Sequence, residues 1–497
     1  MSIRRPRRLQ VECLEGRITP AVSVRFYSGL LMIQGDNAAN NLKVTETAPS
    51  TFKVENNLKS VGTFKFSNLF ITMGNRNDNV ELRVATALTG RLQVSLGNGA
   101  DKFLALGTAA GARIGGDVYV NAGLSAIPPG GNVFPFLYDQ EMNFQSINVG
   151  GSVTAIGSVG SGTELLNFQQ GRIGRNITAV NIFQTSLGLF SDAGQAVSVG
   201  GDVSVTNVQK NTDSRSNSPP RVGGNGLNFY AGSVVNGNVN YTGGNGIDRV
   251  FLPQDFDNVA AVTVGGNVNV NVGGGTSNTL SLGTGNNTLD TGGVSVGAAL
   301  IGGNVTYTGG AGIDRLFCDS GTEVGGNLYA SLGEGDNQVF GDSTLTNFGP
   351  FNAVGPGTVN GNVTIILGNG NNFIGSFGVV NALPFSVGGN LTFMVGNGDN
   401  TGGDAFAPGA ITFFNTALTV GGTATYRAGT GTNNLDITNE TISNLRLIFS
   451  GGPTDVQFNQ ASGVFNGNVF IDFGTGFGPK SLGGTAAFGG DVVILNY

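Results

Sequence analysis

The chain contains no histidine and no tryptophan, and only two of its 497 residues are cysteines. Without histidine, neither a Ser-His-Asp triad nor a Cys-His pair can form, and the commonest zinc ligand is missing. Cys13 and Cys318 lie in unlike contexts and do not indicate a disulfide framework. No run of about 18 apolar residues occurs, so the sequence contains no candidate transmembrane helix.

Charge is also scarce, since charged residues make up 11% of the chain and the formal net charge is -7. The N-terminal segment is the exception, with a cluster of arginines: Arg4, Arg5, Arg7, Arg8 and Arg17. The remaining body is more acidic than the chain as a whole. It lacks the basic surface that binds phosphates, and the chain lacks tryptophan for stacking bases, so we expect no nucleic-acid partner.

Glycine, in contrast, is abundant, with 85 residues, more than twice the roughly 7% share of an ordinary soluble protein. Hydrophobic residues still make up 39% of the chain, so the composition does not indicate disorder. Collagen would need glycine at every third position and far more than 15 prolines. Because each glycine in a helix interior costs about 1 kcal/mol, the composition favours a glycine-rich all-β fold.

A short tag, apolar-x-apolar-Gly-Gly-Asn-Val-x-apolar, recurs along the chain. Its copies begin at Gly115, Gly150, Gly174, Gly200, Asn236, Gly265, Gly302, Gly325, Asn360, Gly388, Gly421, Asn466 and Gly489. The shortest intervals, such as 302 to 325, are 23 residues, which indicates a unit of about 23 residues with insertions. In the longest interval, "NLRLIFSGGPTDVQF" from Asn444 fits a degenerate copy.

A second glycine turn, Gly-x-Gly-x-[Asp/Asn], recurs between the tags, and apolar residues alternate with polar ones around both turns. This alternation predicts two or three short strands per unit, which is one coil of an all-β parallel β-helix (β-solenoid). A β-sandwich, the alternative, does not explain one motif repeated in fixed phase. We expect N-terminal coils over 23–110, the main solenoid over 111–497, and inserted loops at 126–142 and 209–222.

Residues 1–22 form a basic segment without the apolar run of a secretory signal. Within it, "LEGRITPA" (14–21) resembles the L-E-x-R-x-x-P-A leader of large planctomycete surface and exported proteins. This resemblance implies export to the cell surface or the extracellular space. The alternative is a disordered basic tail on a cytoplasmic protein.

Two stretches match the calcium-binding nonapeptide template G-G-x-G-x-D-x-U-x, "GGNGIDRVF" (243–251) and "GGAGIDRLF" (309–317). Asp248 and Asp314 are therefore the best candidate calcium ligands, followed by Asp101 in a third turn of this type. Asparagine occupies most of the equivalent positions, which removes the charge on which calcium affinity depends. Asparagine also bonds its own turn and can form ladders along stacked strands, so we expect a structural ladder, with calcium as the alternative.

Many β-solenoids cleave polysaccharides, so a polysaccharide lyase or hydrolase is weighed as well. The candidate groups are carboxylates near arginines or near each other: Asp314 with Arg315 and Asp319, Asp248 with Arg249, and Asp255 with Asp257. Because strand neighbours point to opposite faces, Asp314 and Arg315 cannot reach one substrate without a bulge. We assign no catalytic residue and expect a non-enzymatic protein.

These features favour an exported surface, matrix or adhesin-like protein that needs no cofactor and binds a polysaccharide or another cell-envelope component. A polysaccharide-cleaving β-helix enzyme and a calcium-binding β-roll protein are the alternatives. The last tag runs into "GGDVVILNY" without an evident polar cap. An uncovered strand edge can pair with another molecule, so end-to-end self-association is also expected.

Overall fold

The computed structural model describes residues 22–124, 140–158, 164–188, 196–207, 225–230, 232–244, 246–252, 261–275, 277–282, 298–318, 321–340, 357–374, 385–398, 412–415, 418–438 and 440–497. No helix that could cross a membrane occurs within these ranges. The predicted leader over 1–22 and the insertions at 126–142 and 209–222 lie wholly or mostly outside the described residues.

The described chain is built from short strands. The first are β1 (Val22–Tyr27), β2 (Leu30–Gly35), β3 (Asn41–Ala48), β4 (Thr51–Asn56), β5 (Lys59–Lys65), β6 (Asn68–Thr72), β7 (Asn79–Val84), β8 (Ala87–Leu88), β9 (Leu92–Ser95), β10 (Lys102–Gly107), β11 (Arg113–Ile114), β12 (Val118–Asn121), β13 (Gln140–Gln145), β14 (Asn148–Val149), β15 (Val153–Ile156) and β16 (Glu164–Gln169). They are followed by β17 (Gly171–Ile173), β18 (Ile177–Val180), β19 (Gln184–Leu187), β20 (Val197–Val199), β21 (Val203–Thr206), β22 (Asn225–Phe229), β23 (Val234–Val235), β24 (Val239–Thr242), β25 (Asp248–Leu252), β26 (Val262–Val264), β27 (Val268–Asn271), β28 (Ser277–Leu282), β29 (Ala299–Ile301), β30 (Val305–Thr308), β31 (Ile313–Cys318) and β32 (Glu323–Val324). The last are β33 (Leu328–Ser331), β34 (Gln338–Phe340), β35 (Gly357–Val359), β36 (Val363–Leu367), β37 (Phe373–Ile374), β38 (Phe385–Val387), β39 (Leu391–Val395), β40 (Thr412–Asn415), β41 (Leu418–Ala428), β42 (Asn433–Thr438), β43 (Thr441–Phe449), β44 (Thr454–Phe465), β45 (Val469–Asp472), β46 (Lys480–Phe488) and β47 (Val492–Leu495).

From β8 to β39, three strands make one coil, and each strand pairs in parallel with the equivalent strand of the next coil. Further along the chain neighbouring strands merge, as in β41, which pairs with both β38 and β39. A short strand such as β29 leads through a tag to a longer strand such as β30, and a second turn leads to a strand of the third face, such as β31. The 23-residue interval between tags reappears as the pairing of Val305 with Leu328. The all-β parallel β-solenoid predicted from the repeat is therefore confirmed.

The core fills the space between the three faces. In β30, Val305 and Tyr307 are 0% exposed, whereas Thr306 between them faces outward. The same alternation recurs from coil to coil and joins the inward side chains into one hydrophobic cluster along the solenoid. β-Branched and aromatic residues suit this pleated, half-buried setting.

The tag glycines form the corner between the short and the longer strands, where successive coils approach each other closely. A Cβ on Gly325 would lie 2.5 Å from the carbonyl oxygen of Gly302, and a Cβ on Gly303 would lie 2.4 Å from Oδ1 of Asn267. Both distances are too short for a side chain. Glycine therefore predominates where one corner stacks on the next, although asparagine takes the first tag position at Asn236, Asn360 and Asn466.

The stack is continuous across residue 110, because β10 pairs with both β7 and β13. It also continues through the degenerate copy, where β43 pairs with β41 and β45, as predicted. At the N-terminal end, β1 pairs antiparallel with β2, and β3, β4 and β5 form an antiparallel meander. At the other end, the side chains of Val492–Leu495 are 40–45% exposed.

Candidate functional site: an inner polar column and an uncharged outer face

A line of polar side chains runs inside the solenoid along the third face. Each member precedes the first inward apolar residue of its strand by two positions, as Asp314 precedes Leu316. We call this set the inner polar column: Asn40, Asp78, Asp101, Gln140, Glu164, Asp248, Asn278, Asp314, Asn337 and Asn372. None of them is more than 3% exposed, so the column is shielded from water.

Five pairs of members are linked by a repeated hydrogen bond, in which the backbone N–H of one coil donates to the side-chain oxygen of the next coil. The pairs are Asn40 N to Asp78 Oδ1 (2.7 Å), Asp78 N to Asp101 Oδ1 (2.7 Å), Asp248 N to Asn278 Oδ1 (3.1 Å), Asp314 N to Asn337 Oδ1 (3.0 Å) and Asn337 N to Asn372 Oδ1 (3.3 Å). Asn337 and Asn372, two of the asparagines of the second glycine turn, are joined in the predicted ladder, whereas Asn228 lies outside the column because Asn225 pairs with Asp248.

All three candidate calcium ligands, Asp101, Asp248 and Asp314, lie in this column and are 0% exposed. Asp248 and Asp314 are separated by the coil that carries Asn278, whose Nδ2 donates to Asp314 Oδ1 at 2.8 Å. Oδ2 of Asp314 accepts the N–H of Gly310 at 2.9 Å, so both oxygens of this carboxyl group have N–H donors. Among the described residues, no group of three or more His, Cys, Asp or Glu side chains is placed to hold a metal ion.

The arginines that follow these carboxylates face the other way. Asp248 and Asp314 point into the core, whereas Arg249 and Arg315 lie on outward positions of β25 and β31 and are partly buried. Burial lowers the pKa of both guanidinium groups, and their mutual repulsion adds to this effect at Arg249. The other candidates for lyase or hydrolase chemistry, Asp255, Asp257 and Asp319, lie outside the described residues.

Burial sets the electrostatics of the column, because it disfavours the charged form of a carboxyl group. It raises the pKa of Asp101 to about 7, an effect opposed by the N–H of Asp78. It raises the pKa of Asp314 to about 6, where the bonds from Asn278 and Gly310 oppose it. The pKa of Asp78 is also raised by burial. Tyr241 donates its hydroxyl to Asp248 Oδ1 at 2.7 Å.

A second ladder lies on the surface, at the third position of the tag. We call it the outer amide ladder: Asp117, Ser152, Asn176, Asp202, Asn238, Asn267, Asn304, Asn327, Asn362 and Asn390. Here the hydrogen bond runs the opposite way along the stack, since each side-chain oxygen accepts the N–H of the following coil. Asn327 Oδ1, for example, accepts the N–H of Asn362 at 2.8 Å.

Beside this ladder, the outward positions of the longer strands carry no charged residue from β2 to β39. We call this set the uncharged face: Met32, Gln34, Phe70, Thr72, Gln93, Ser95, Tyr119, Asn121, Thr154, Ile156, Thr178, Val180, Ser204, Thr206, Asn240, Thr242, Asn269, Asn271, Thr306, Thr308, Tyr329, Ser331, Thr364, Ile366, Thr392 and Met394. The third face differs, because Lys102 and Glu141 point outward there and form an ion pair of 3.1 Å.

Sequence reasoning missed five members of the inner polar column, Asn40, Asp78, Gln140, Glu164 and Asn278, because they do not belong to a strict Gly-x-Gly-x-[Asp/Asn] turn. The available signal is their spacing. Each lies two residues before an inward apolar side chain, as Gln140 lies before Met142. Period two places such a pair on one side of a strand.

Comparison of the chain with known protein families, with curated proteins and with solved structures finds no match. A function is therefore inferred from the residues of the inner polar column and the uncharged face.

Proposed function

We propose that the protein is a non-enzymatic, exported surface, matrix or adhesin-like protein that binds a neutral polysaccharide of the cell envelope through the uncharged face. The absence of charge along this face is the observation that supports the proposal. Charged residues make up 11% of the chain, and none of them lies on this face. The face offers hydroxyl and amide groups, which both donate and accept hydrogen bonds and therefore match the hydroxyl groups of a sugar.

The regularity of the face supports a polymeric ligand. Paired strands lie about 4.8 Å apart, and alternate residues of one strand are about 6.7 Å apart, so similar groups recur in two directions. Thr306 and Thr308 on β30, for example, stand beside Asn269 and Asn271 on β27. A repeating polymer can engage many such positions at once, and linked weak contacts raise the overall affinity without any single strong one.

The test is a co-sedimentation assay with insoluble neutral polysaccharide prepared from cell envelopes. Asn269→Lys combined with Thr308→Lys places two charges on exposed positions of the uncharged face. We expect it to weaken binding about tenfold, which corresponds to about 1.4 kcal/mol. Asn143→Lys, on an outward position of the third face, is the matched control and should bind like the original chain. Equal binding by all the variants contradicts the proposal, and so does an absence of binding by the original chain.

The same assay separates binding from cleavage. In the enzyme alternative, a carboxylate and a basic group must reach one substrate, whereas Asp314 and Arg315 face opposite sides of β31. We therefore expect no new sugar ends to appear in the supernatant during incubation. Release of unsaturated or reducing ends would support a polysaccharide lyase or hydrolase instead.

Export is proposed from the resemblance of residues 14–21 to a planctomycete leader. Cell fractionation tests it, because recovery of the intact chain in the cytosol contradicts it. End-to-end self-association is proposed as well, supported by the exposed apolar side chains of Val492–Leu495. Light scattering at increasing protein concentration should show a rising mass, which Ile494→Lys should prevent.

A further inference from the structure

Within the inner polar column, asparagines perform two tasks. The side-chain oxygen accepts an N–H from the neighbouring coil, and the side-chain nitrogen donates to carbonyl oxygens of its own glycine turn. Asn337 Nδ2 donates to Gly333 at 3.0 Å, four residues before it. Asn372 Nδ2 donates to Gly368 at 2.9 Å and to Gly370 at 3.1 Å, four and two residues before it. At these two positions, the member of the column supplies one acceptor atom and one donor atom.

Asp101 occupies an equivalent position in the same kind of turn, with Gly97 and Gly99 four and two residues before it. Its Oδ1 performs the first task, accepting the N–H of Asp78 at 2.7 Å. Its Oδ2 is buried and has no hydrogen-bond partner among the described residues. As a carboxylate, this oxygen would be an unsatisfied acceptor in a place where asparagine presents a donor.

The surroundings of Asp101 supply further acceptors. Oδ2 of Asp78 and Oε1 of Gln140, on the two adjacent coils, are also buried without a partner within the described chain. Gln140 uses its Nε2 to donate to the carbonyl oxygens of Gly99 and Ala122, at 3.2 and 2.7 Å. Buried polar groups are almost always hydrogen-bonded, so a proton on one of these three oxygens would supply the donor that the group lacks.

Asp314 provides the contrast within the same column. Both of its oxygens accept N–H groups, from Asn278 Nδ2 and from the backbone of Gly310. This pattern stabilises the ionised form. The two aspartates occupy equivalent turns but have opposite hydrogen-bonding requirements.

We propose that Asp101 is a protonated member of the inner polar column, whose Oδ2–H donates a hydrogen bond to a neighbouring buried oxygen in the way that asparagine Nδ2 does elsewhere. The carboxyl group then has one acceptor and one donor, as its position requires. Loss of this proton to the solvent at mildly alkaline pH leaves a buried charge and loosens β7 and β10.

The electrostatic environment agrees with this assignment. Burial is the largest influence on the pKa of Asp101, and the nearby carboxyl of Asp78 raises it further. The negative charge of Asp36 in turn raises the pKa of Asp78. From β13, the adjacent side chain is the neutral Gln140. Lys102 lies outward and pairs with Glu141, so it does not offset a charge at Asp101.

The sign of the pH dependence follows from the two states. An unfolded aspartate has a pKa of about 3.9, whereas the pKa of Asp101 in the folded chain is about 7. Between these values the folded chain holds a proton that the unfolded chain has released. The stabilisation that this proton gives the folded chain is therefore complete below about pH 4 and is lost as the pH rises through about 7.

The test compares the full chain with Asp101→Asn by hydrogen exchange at pH 6 and pH 8.5, corrected for the intrinsic rates. In the original chain, we expect the amides of Asp78 and Lys102 to lose protection at least tenfold at the higher pH. Asp101→Asn supplies a permanent donor and should keep the protection at both values. Asp314→Asn is the matched control and should leave the pH response of β7 and β10 unchanged.

Infrared spectroscopy gives an independent readout. The carbonyl stretch of a protonated carboxylic acid is followed in an Asp314→Asn background, because Asp314, with a pKa of about 6, is itself partly protonated at pH 6. In this background the band should be present at pH 6, lost at pH 8.5 and reduced by Asp101→Asn. An unchanged pH response in Asp101→Asn contradicts the proposal, as does lack of the acid band at pH 6. Restoration of protection by calcium chloride at pH 8.5, in the original chain but not in Asp101→Asn, would instead identify a cation site.

Discussion

The inner polar column and the outer amide ladder use the same residue types to bridge successive coils, but in different surroundings. In the column, the N–H of one coil donates to a side chain of the next, and water is excluded. In the outer ladder, the N–H of the later coil donates to a side chain of the earlier one, on exposed positions. Burial therefore decides what an asparagine or an aspartate contributes. On the surface water replaces a lost partner, whereas in the column a lost partner leaves an unsatisfied group.

Asn337→Ala should show the largest effect. It removes the acceptor of the Asp314 N–H, which is buried, and the donor to the Gly333 carbonyl, which is partly buried. Leaving two such groups unsatisfied should lower the free energy of unfolding by about 2–5 kcal/mol. Urea denaturation measures this change, and a loss below about 1 kcal/mol would mean that water enters the column.

Tyr241→Phe should have an intermediate effect. It removes the hydroxyl that donates to Asp248 Oδ1 at 2.7 Å while keeping the ring in the core. Removing one partner of a buried hydrogen bond leaves the other group unsatisfied and costs about 1–3 kcal/mol, so a loss of this size is expected in the free energy of unfolding. Tyr329→Phe, on the uncharged face, is the control and should unfold like the original chain. If both variants have the same free energy of unfolding, the hydrogen bond from Tyr241 to Asp248 contributes little to stability.

Asn327→Ala should have the smallest effect, although it also interrupts a ladder. It removes the acceptor of the Asn362 N–H, which lies on the exposed side of the tag. Because water can take the place of the amide oxygen, we expect a loss below about 1 kcal/mol in the same denaturation experiment. A loss as large as that of Asn337→Ala would mean that burial does not distinguish the inner polar column from the outer amide ladder.

The solenoid itself could be predicted from the sequence because its cause is local and repeated. Glycine corners such as Gly302 and Gly325 recur at the coil length, and period-two alternation places Val305 and Tyr307 inside. The ladder of asparagines followed from the same periodicity. Each of these features depends on a residue and its nearest equivalents in the neighbouring coils.

The burial and the hydrogen bonding of the aspartates in the candidate site were harder to predict. An Asp-Arg pair such as Asp314 with Arg315 is typical of solvated turn and surface charges, yet Asp314 is fully buried. Which oxygen of Asp101 has a donor depends on Asp78 and Gln140, and Gln140 lies beyond an insertion that hides the register. The sequence pattern indicates the face of a side chain, but hydrogen-bond satisfaction is a property of three stacked coils.

The close stacking of tag corners has a consequence for how the length of this protein can change during evolution. Successive tag corners stack closely, mostly glycine on glycine, and parallel pairing places each coil on an equivalent one. Gain or loss of a whole coil by duplication or deletion in the gene preserves every contact of this kind. Insertion or deletion of a single residue at a corner shifts the strand that follows by one position and turns its apolar side chains outward. Length variation should therefore occur in whole coils, or in the insertions that leave the corners untouched.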